Sequence, residues 1–348
     1  MKFLRILLFP FSVLYGFITF VRNFLFDVGI LKSYTFNLPI IAVGNLSVGG
    51  TGKTPQIEYL IRLLSENYKI ATLSRGYKRQ SKGFILADEK ASAITLGDEP
   101  FQFYQKFPNI QVAVDADRKN GIEQLLSQKH KPEIILLDDA FQHRKVKAGF
   151  YILLTAYGDL FCDDFMLPTG NLREGRSGAK RANLIVITKC PKSISESEIE
   201  IIKQKVMRFF VPQNDKTPSI FFSFIDYDEK IFSDSKTIAV SDILEKDKLL
   251  IAGIAKPKPF FDYLNPEKSQ NQTLTFPDHH HFSNEDILNI KKQSVNKILI
   301  TTEKDYVRLK DSFLADEIFY LPIKTSFINN SDAFDNLVVD FVKNNTPW

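Results

Sequence analysis

An α/β fold is predicted: a mostly parallel sheet core, a second, smaller α/β lobe after it, and an N-terminal membrane-associated helix before it. Three observations predict it. Short, continuous, β-branched runs at 40–44, 70–74, 111–114, 134–138, 151–155 and 184–188 alternate with helical patterns, notably 56–67 and 118–128. Such runs suit a parallel sheet covered on both faces. The series then resumes, with strands at 249–254 and 298–302 and helices around 259–264, 286–293 and 332–343. Finally, residues 6–21 carry no charge and are flanked by Lys2, Arg5 and Arg22.

Composition bounds the rest. With 44% hydrophobic and 25% charged residues the chain is a folded protein, and 348 residues accommodate two lobes. A net charge of +4 calls for no nucleic-acid partner, though local basic clusters suit anionic ligands or lipid headgroups. Cys162 and Cys190 have no paired spacing, so neither a disulfide framework nor a thiolate metal site is indicated.

Residues 1–32 come first. A helix over 6–21 covers about 24 Å, short of the ~30 Å hydrocarbon core, and Pro10 interrupts the pattern. No small-x-small cleavage site follows. An in-plane anchor, a true span and a buried core helix are the three readings. The apolar continuation at Phe24-Leu25-Phe26 and Leu31 favours the anchor.

The core follows, over 33–215. Its first strand leads into Gly44-Asn45-Leu46-Ser47-Val48-Gly49-Gly50-Thr51-Gly52-Lys53-Thr54. Glycines 49, 50 and 52 let backbone N–H groups converge on one anion, Lys53 adds positive charge, and Thr54 offers a hydroxyl to Mg²⁺. Ser47 to Thr54 are therefore expected to cradle a nucleotide, although Ser47 stands where the usual pattern has glycine. Pro55 suits a helix start. The core is accordingly P-loop NTPase-like.

Other polar residues stand at the ends of apolar runs. The run 134–137 delivers Asp138 and Asp139, and a strand there points them to opposite faces unless it has ended. In this context they suit Mg²⁺ or its waters, one of them from behind. In Gly97-Asp98-Glu99-Pro100 a carboxylate could accept a hydroxyl proton or simply cap the next helix, and local chemistry favours the cap. Asp278-His279-His280-His281 suggests proton transfer or phosphate contact more than zinc, since consecutive residues cannot all converge. Basic clusters at Arg75, Lys78, Arg79 and Lys82, and at Arg173, Arg176, Lys180 and Arg181, follow strand ends where an anionic ligand would lie, with a solvated surface as the alternative. Thr302-Glu303-Lys304-Asp305 also follows a strand, without an evident role. The second lobe is placed at 216–348, with a hinge near Thr217-Pro218.

Together these motifs resemble one family, the tetraacyldisaccharide 4′-kinases of Gram-negative bacteria. The resemblance is carried by residues 43–55, Ser74-Arg75-Gly76-Tyr77, Gly97-Asp98-Glu99-Pro100, Asp138-Asp139-Ala140-Phe141-Gln142-His143-Arg144, Leu172-Arg173-Glu174, Asp278-His279-His280 and Thr302-Glu303-Lys304-Asp305. Ser47 is ordinary for that family, whereas Ala140 stands where glycine is expected. The resemblance implies ATP- and Mg²⁺-dependent phosphorylation of the 4′-hydroxyl of a tetraacyl disaccharide 1-phosphate, giving lipid IVA. It also implies a monotopic enzyme on the cytoplasmic face of the inner membrane. Asp98 would be the catalytic base, assisted by His279 or, by one register, His280. Lys53 would hold the β/γ-phosphates, Thr54, Asp138, Asp139 and Glu174 would serve the metal, and Arg75, His143 and Arg173 would meet the acceptor.

The competing class is a membrane-associated ATPase switch acting through protein partners. Such proteins often carry a lysine where this chain has Val48. A GTPase switch would want N-K-x-D, and Thr188-Lys189-Cys190-Pro191 lacks the Asp. Both differences count against it.

Overall fold

The computed structural model describes residues 5–210, 218–265, 272–278 and 280–346. It begins with the helix Phe9–Asp27, in which Pro10 sits in the first turn, where a missing N–H costs nothing. Pro10 thus starts the helix instead of interrupting it. The helix is amphipathic in the inverted sense. Its polar residues Ser12, Tyr15, Thr19 and Asn23 recur at helical spacing and turn toward the protein. Ser12 and Thr19 are the buried ones, while Phe11, Phe17, Phe20 and Phe24 stand exposed. A core helix would bury the opposite face, so that reading is excluded.

The first strands are β1 (Ile40–Asn45), β2 (Ile70–Ser74), β3 (Ile85–Leu86), β4 (Gln111–Val114), β5 (Ile134–Asp138), β6 (Phe150–Ala156), β7 (Leu184–Thr188) and β8 (Ser219–Tyr227). Then come β9 (Lys230–Phe232), β10 (Thr237–Ala239), β11 (Lys248–Ala252), β12 (Gln272–Thr275), β13 (Ile298–Thr302), β14 (Ile318–Leu321) and β15 (Ile323–Phe327). One sheet runs β15-β8-β7-β6-β1-β5-β2-β4-β3, parallel except for its two outermost pairings. The other runs β10-β9-β14-β13-β11-β12, parallel from β14 to β12.

Why β1 lies at the centre follows from its residues. Every position of β1, β2, β5 and β7 is buried, which demands cover on both faces. The helix Lys53–Leu64 supplies one cover through Ile57, Leu60, Ile61 and Leu64. At about 1.5–3 kcal/mol per buried aliphatic side chain, this stripe alone fixes that helix over β1. The closing helix Ser331–Asn345 brings Phe334, Val338 and Val342 into the same cluster. Tyr59 also donates to Asp335 at 2.8 Å.

That closing helix alters the expected division at 216. Strand β8 extends the first sheet beside β7, and β15 with its helix returns to it, so the second sheet occupies only the stretch between Tyr227 and Ile323. The apolar stripe of the closing helix matches the first core, and nothing local to 323–345 announces which core it joins.

Candidate active site

Register places the phosphate loop. Val43 of β1 pairs with Asp138 of β5, so the loop leaving β1 and the carboxylates ending β5 emerge side by side. Gly44 is needed there: a Cβ would lie 2.7 Å from that of Phe141, in the turn crossing above it. Asn45 donates to the Thr51 hydroxyl at 2.8 Å and braces the loop from inside. Gly52 caps the helix with φ 85°, a left-handed value glycine adopts without strain. Lys53 then opens the helix, with its ammonium 3.7 Å from Asp139. The loop's leading edge is fixed by a bridge between Ser47 and Leu172, with Val48 N–H donating to the Asn171 carbonyl at 2.8 Å. Val48 itself is exposed.

The two aspartates separate as strand geometry requires. Asp138 is the last residue of β5 and accepts from the Ser74 hydroxyl at 3.3 Å. Burial, then the neighbouring Asp139 charge, pushes its carboxyl up to about 6, against the pull of Lys53. Glu99, in the first turn of the helix Asp98–Lys106, adds to the upward push. Asp139 has already left the strand, at φ 46°. Lys53 and Arg173, the latter at 3.1 Å, hold its carboxyl below the usual range despite burial.

Whether Mg²⁺ fits can be asked of these oxygens. Asp138 Oδ1 is buried without a hydrogen-bond partner, and the Thr54 hydroxyl lies in the first turn of the adjoining helix. Hard oxygen donors of this kind, few in number, suit an ion that keeps waters and phosphate oxygens as its other ligands. Among the described residues no three His, Cys, Asp or Glu side chains converge as a metal group, which agrees with so sparse a set.

Glu174 departs from its expected place. It is buried and accepts from Asn23 at 2.9 Å, Gln142 at 3.0 Å and Arg181 at 2.7 Å. Through these three bonds the carboxylate joins the N-terminal helix to the site loops. Tyr15 reinforces the joint by donating to the Arg173 carbonyl at 2.9 Å.

Asp98 is not the helix cap that local chemistry favoured. Gly97 holds the cap position, and Asp98 begins the helix without a side-chain cap bond. Its carboxylate instead meets Arg308 from the second sheet's side, with Arg308 Nε donating to Oδ1 at 3.2 Å and Nη2 donating to Oδ2. The same guanidinium donates to the His280 carbonyl at 3.4 Å, tying the histidine run to Asp98 through backbone. The His280 ring points elsewhere, 3.0 Å from Asp286 and stacked on Phe276. His279 lies outside the described residues.

Arg308 is the functional candidate that sequence reading missed. The signal was weak: one arginine, three residues after the last motif. That motif has a structural account. Thr302 caps the helix Glu303–Leu309, and Asp305 accepts the Gly253 N–H at 2.8 Å. Arg118 was also passed over. It is 2% exposed, donates to the Asp115 and Asp138 carbonyls, and fixes the end of β5.

Of the expected acceptor contacts, Arg75 is exposed on the loop after β2. His143 is half-buried, and its Nε2 has no partner. Burial, then the Arg118 charge, pulls the ring down to about 4, so it is neutral at physiological pH. Arg173 reaches Asp139, as described.

Behind Asp98 lies a buried ion cluster. Lys106 pairs with Glu58 and with Glu303, each at 2.8 Å, joining both lobes to the phosphate-loop helix. Burial, then the Glu58 charge, pushes the Glu303 carboxyl up to about 7. A raised carboxyl binds its proton more tightly in the folded chain. Its contribution is therefore complete below the unfolded value of 4.5 and is lost as pH rises to about 7. Denaturant titrations across that window should show wild type losing up to about 3 kcal/mol relative to Glu303→Gln. Parallel curves would show that Glu303 titrates normally.

The chain is also similar to known proteins along nearly its whole length. Residues 4–343 match the family model described as LpxK: Tetraacyldisaccharide-1-P 4'-kinase. The chain is 64% identical over 347 residues to a Flavobacterium psychrophilum protein named tetraacyldisaccharide 4'-kinase, covering 99% of each. A Bacteroides thetaiotaomicron protein of the same name is 44% identical over 97% of this chain and 93% of its own length. Among solved structures, Aquifex aeolicus LpxK, crystallised in complex with ATP, superposes with a TM-score of 0.78 at 31% identity, covering 97% of this chain and 99% of that one.

Proposed function

Because the chain belongs to the tetraacyldisaccharide-1-P 4′-kinase family, we propose that it transfers the γ-phosphate of ATP to the 4′-hydroxyl of a tetraacyl disaccharide 1-phosphate, the kinase step of lipid A biosynthesis. One observation carries the reading at the level of residues. Register sets the loop with Lys53 beside the two aspartates at the end of β5, with Lys53 3.7 Å from Asp139, and the Glu99 charge beside Asp98 acts on Asp138.

Lys53 and the loop amides hold the β/γ-phosphates in line. Asp98, oriented by Arg308, accepts the acceptor hydroxyl's proton as that oxygen attacks phosphorus and ADP leaves. A carboxylate has about four lone-pair sites, so pairing with Arg308 does not by itself close it to the hydroxyl. When bound, Mg²⁺ neutralises phosphate charge, and Thr54 and Asp138 would hold it, with Asp139 set behind by Lys53 and Arg173. Neutral His143 and exposed Arg75 suit a sugar headgroup and its phosphate. Incubation with labelled ATP, Mg²⁺ and a tetraacyl disaccharide monophosphate tests the reading. Label should enter the lipid, and release of free phosphate alone would contradict it.

The inverted helix supplies the route to a membrane-borne acceptor. It is the one described helix long and apolar enough to cross a bilayer. Its hydrogen bonds to the site loops favour lying in the interface, on the cytoplasmic face where ATP is found. Changing Phe11, Phe17 and Phe20 together to serine removes only exposed apolar surface. Sedimentation with vesicles should fall at least ~10-fold with little change in melting temperature. Unchanged sedimentation would remove the anchor role.

A further inference from the structure

Strand β7 ends directly under the phosphate loop, and its last residue, Thr188, and the next, Lys189, hold the loop by consecutive carbonyls. The Thr188 hydroxyl donates to the Thr51 carbonyl at 2.8 Å, and the Lys189 ammonium donates to the Gly50 carbonyl. Lys189 as a whole is exposed, yet burial, then the charges of Lys256 and Lys53, holds its ammonium below the ordinary lysine range. An exposed lysine gains little from such an arrangement for stability alone.

Its backbone points the same way. Lys189 has φ 59°, a left-handed value uncommon for residues with a Cβ. Such a conformation persists only where neighbours over-determine it. Here the Tyr157 N–H donates to the Thr188 carbonyl at 2.8 Å, and the Cys190 N–H donates to the Ser223 carbonyl at 3.0 Å. The lysine is thus pinned on both sides in a strained geometry that aims its side chain back over the loop.

In a trans peptide the C=O and the following N–H point in opposite directions. Holding the Gly50 and Thr51 carbonyls from β7 therefore turns the Thr51 and Gly52 N–H groups away from β7. The Thr51 N–H then closes a tight turn on the Gly49 carbonyl at 3.1 Å. We infer that Lys189 is a positioning residue of the nucleotide site, holding the Gly50 carbonyl and so fixing the Gly49–Thr51 turn that shapes the phosphate loop for ATP. The inference rests on the reading of this loop as the ATP site.

The test is steady-state kinetics with calorimetric ATP binding for wild type, Lys189→Met and Lys189→Arg. Lys189→Met, which keeps the stem and removes the charged donor, should raise the KM and Kd for ATP about tenfold. Its kcat and the KM for the lipid acceptor should move less than about threefold, because no group acting on the reacting atoms is lost. Lys189→Arg should restore ATP affinity to within about threefold of wild type. Unchanged ATP affinity in Lys189→Met, or a fall in kcat alone, overturns the inference while leaving the ATP site intact. Failure of wild type to bind ATP would overturn the loop reading and this inference together.

Discussion

Lys53→Ala is expected to slow phosphate transfer to the lipid disaccharide by at least ~10²-fold and to weaken ATP binding as well. The ammonium sits at the mouth of the loop, 3.7 Å from Asp139, with the Arg173 guanidinium on that carboxylate's other side. Removing Lys53 takes away the charge proposed to meet the γ-phosphate. It also leaves buried Asp138 beside the Asp139 charge with less compensation, so Asp138 should be harder still to ionise. Lys53→Arg will not restore the rate, because a planar fork cannot replace a compact point charge inside a glycine loop. Single-turnover assays with saturating ATP separate the rate loss from the affinity loss. Transfer within tenfold of wild type would remove Lys53 from the mechanism.

The second large effect is expected at Asp98. Asp98→Asn keeps the shape of the side chain and one acceptor oxygen but cannot take a proton, so turnover should fall by ~10²–10⁴-fold. ATP affinity should be unchanged, because Asp98 lies outside the loop proposed to hold the phosphates. Arg308→Met should act in the same direction more weakly, since it leaves the carboxylate in place and removes only what orients it. Arg308 is also almost buried, at 8% side-chain exposure. Its loss should therefore lower the melting temperature, whereas Asp98→Asn in a folded chain should show a catalytic defect alone. Normal turnover by Asp98→Asn would assign the base elsewhere and leave the Asp98–Arg308 pair as a clasp between the two sheets.

The sequence by itself determined a good part of this protein. The alternating apolar runs gave strands β1, β2, β4, β5, β6 and β7 nearly at their observed limits, because each is buried on both faces and so reads as continuous. The turn from β1 into the helix at Lys53 was equally legible, since its signals are local: glycines, a lysine and a hydroxyl within a few residues of one strand end. Only tertiary structure decided the rest, and in each case because the partner is remote in the chain. Asp98 takes its orientation from an arginine 210 positions away, and Glu174 is satisfied by a donor 151 positions away on the N-terminal helix. The closing helix rejoins the first core although it follows the second, because an apolar stripe states that it must be buried without stating against what. Spacing along a chain encodes what a segment can become; which charges meet is settled when the sheets bring their ends together.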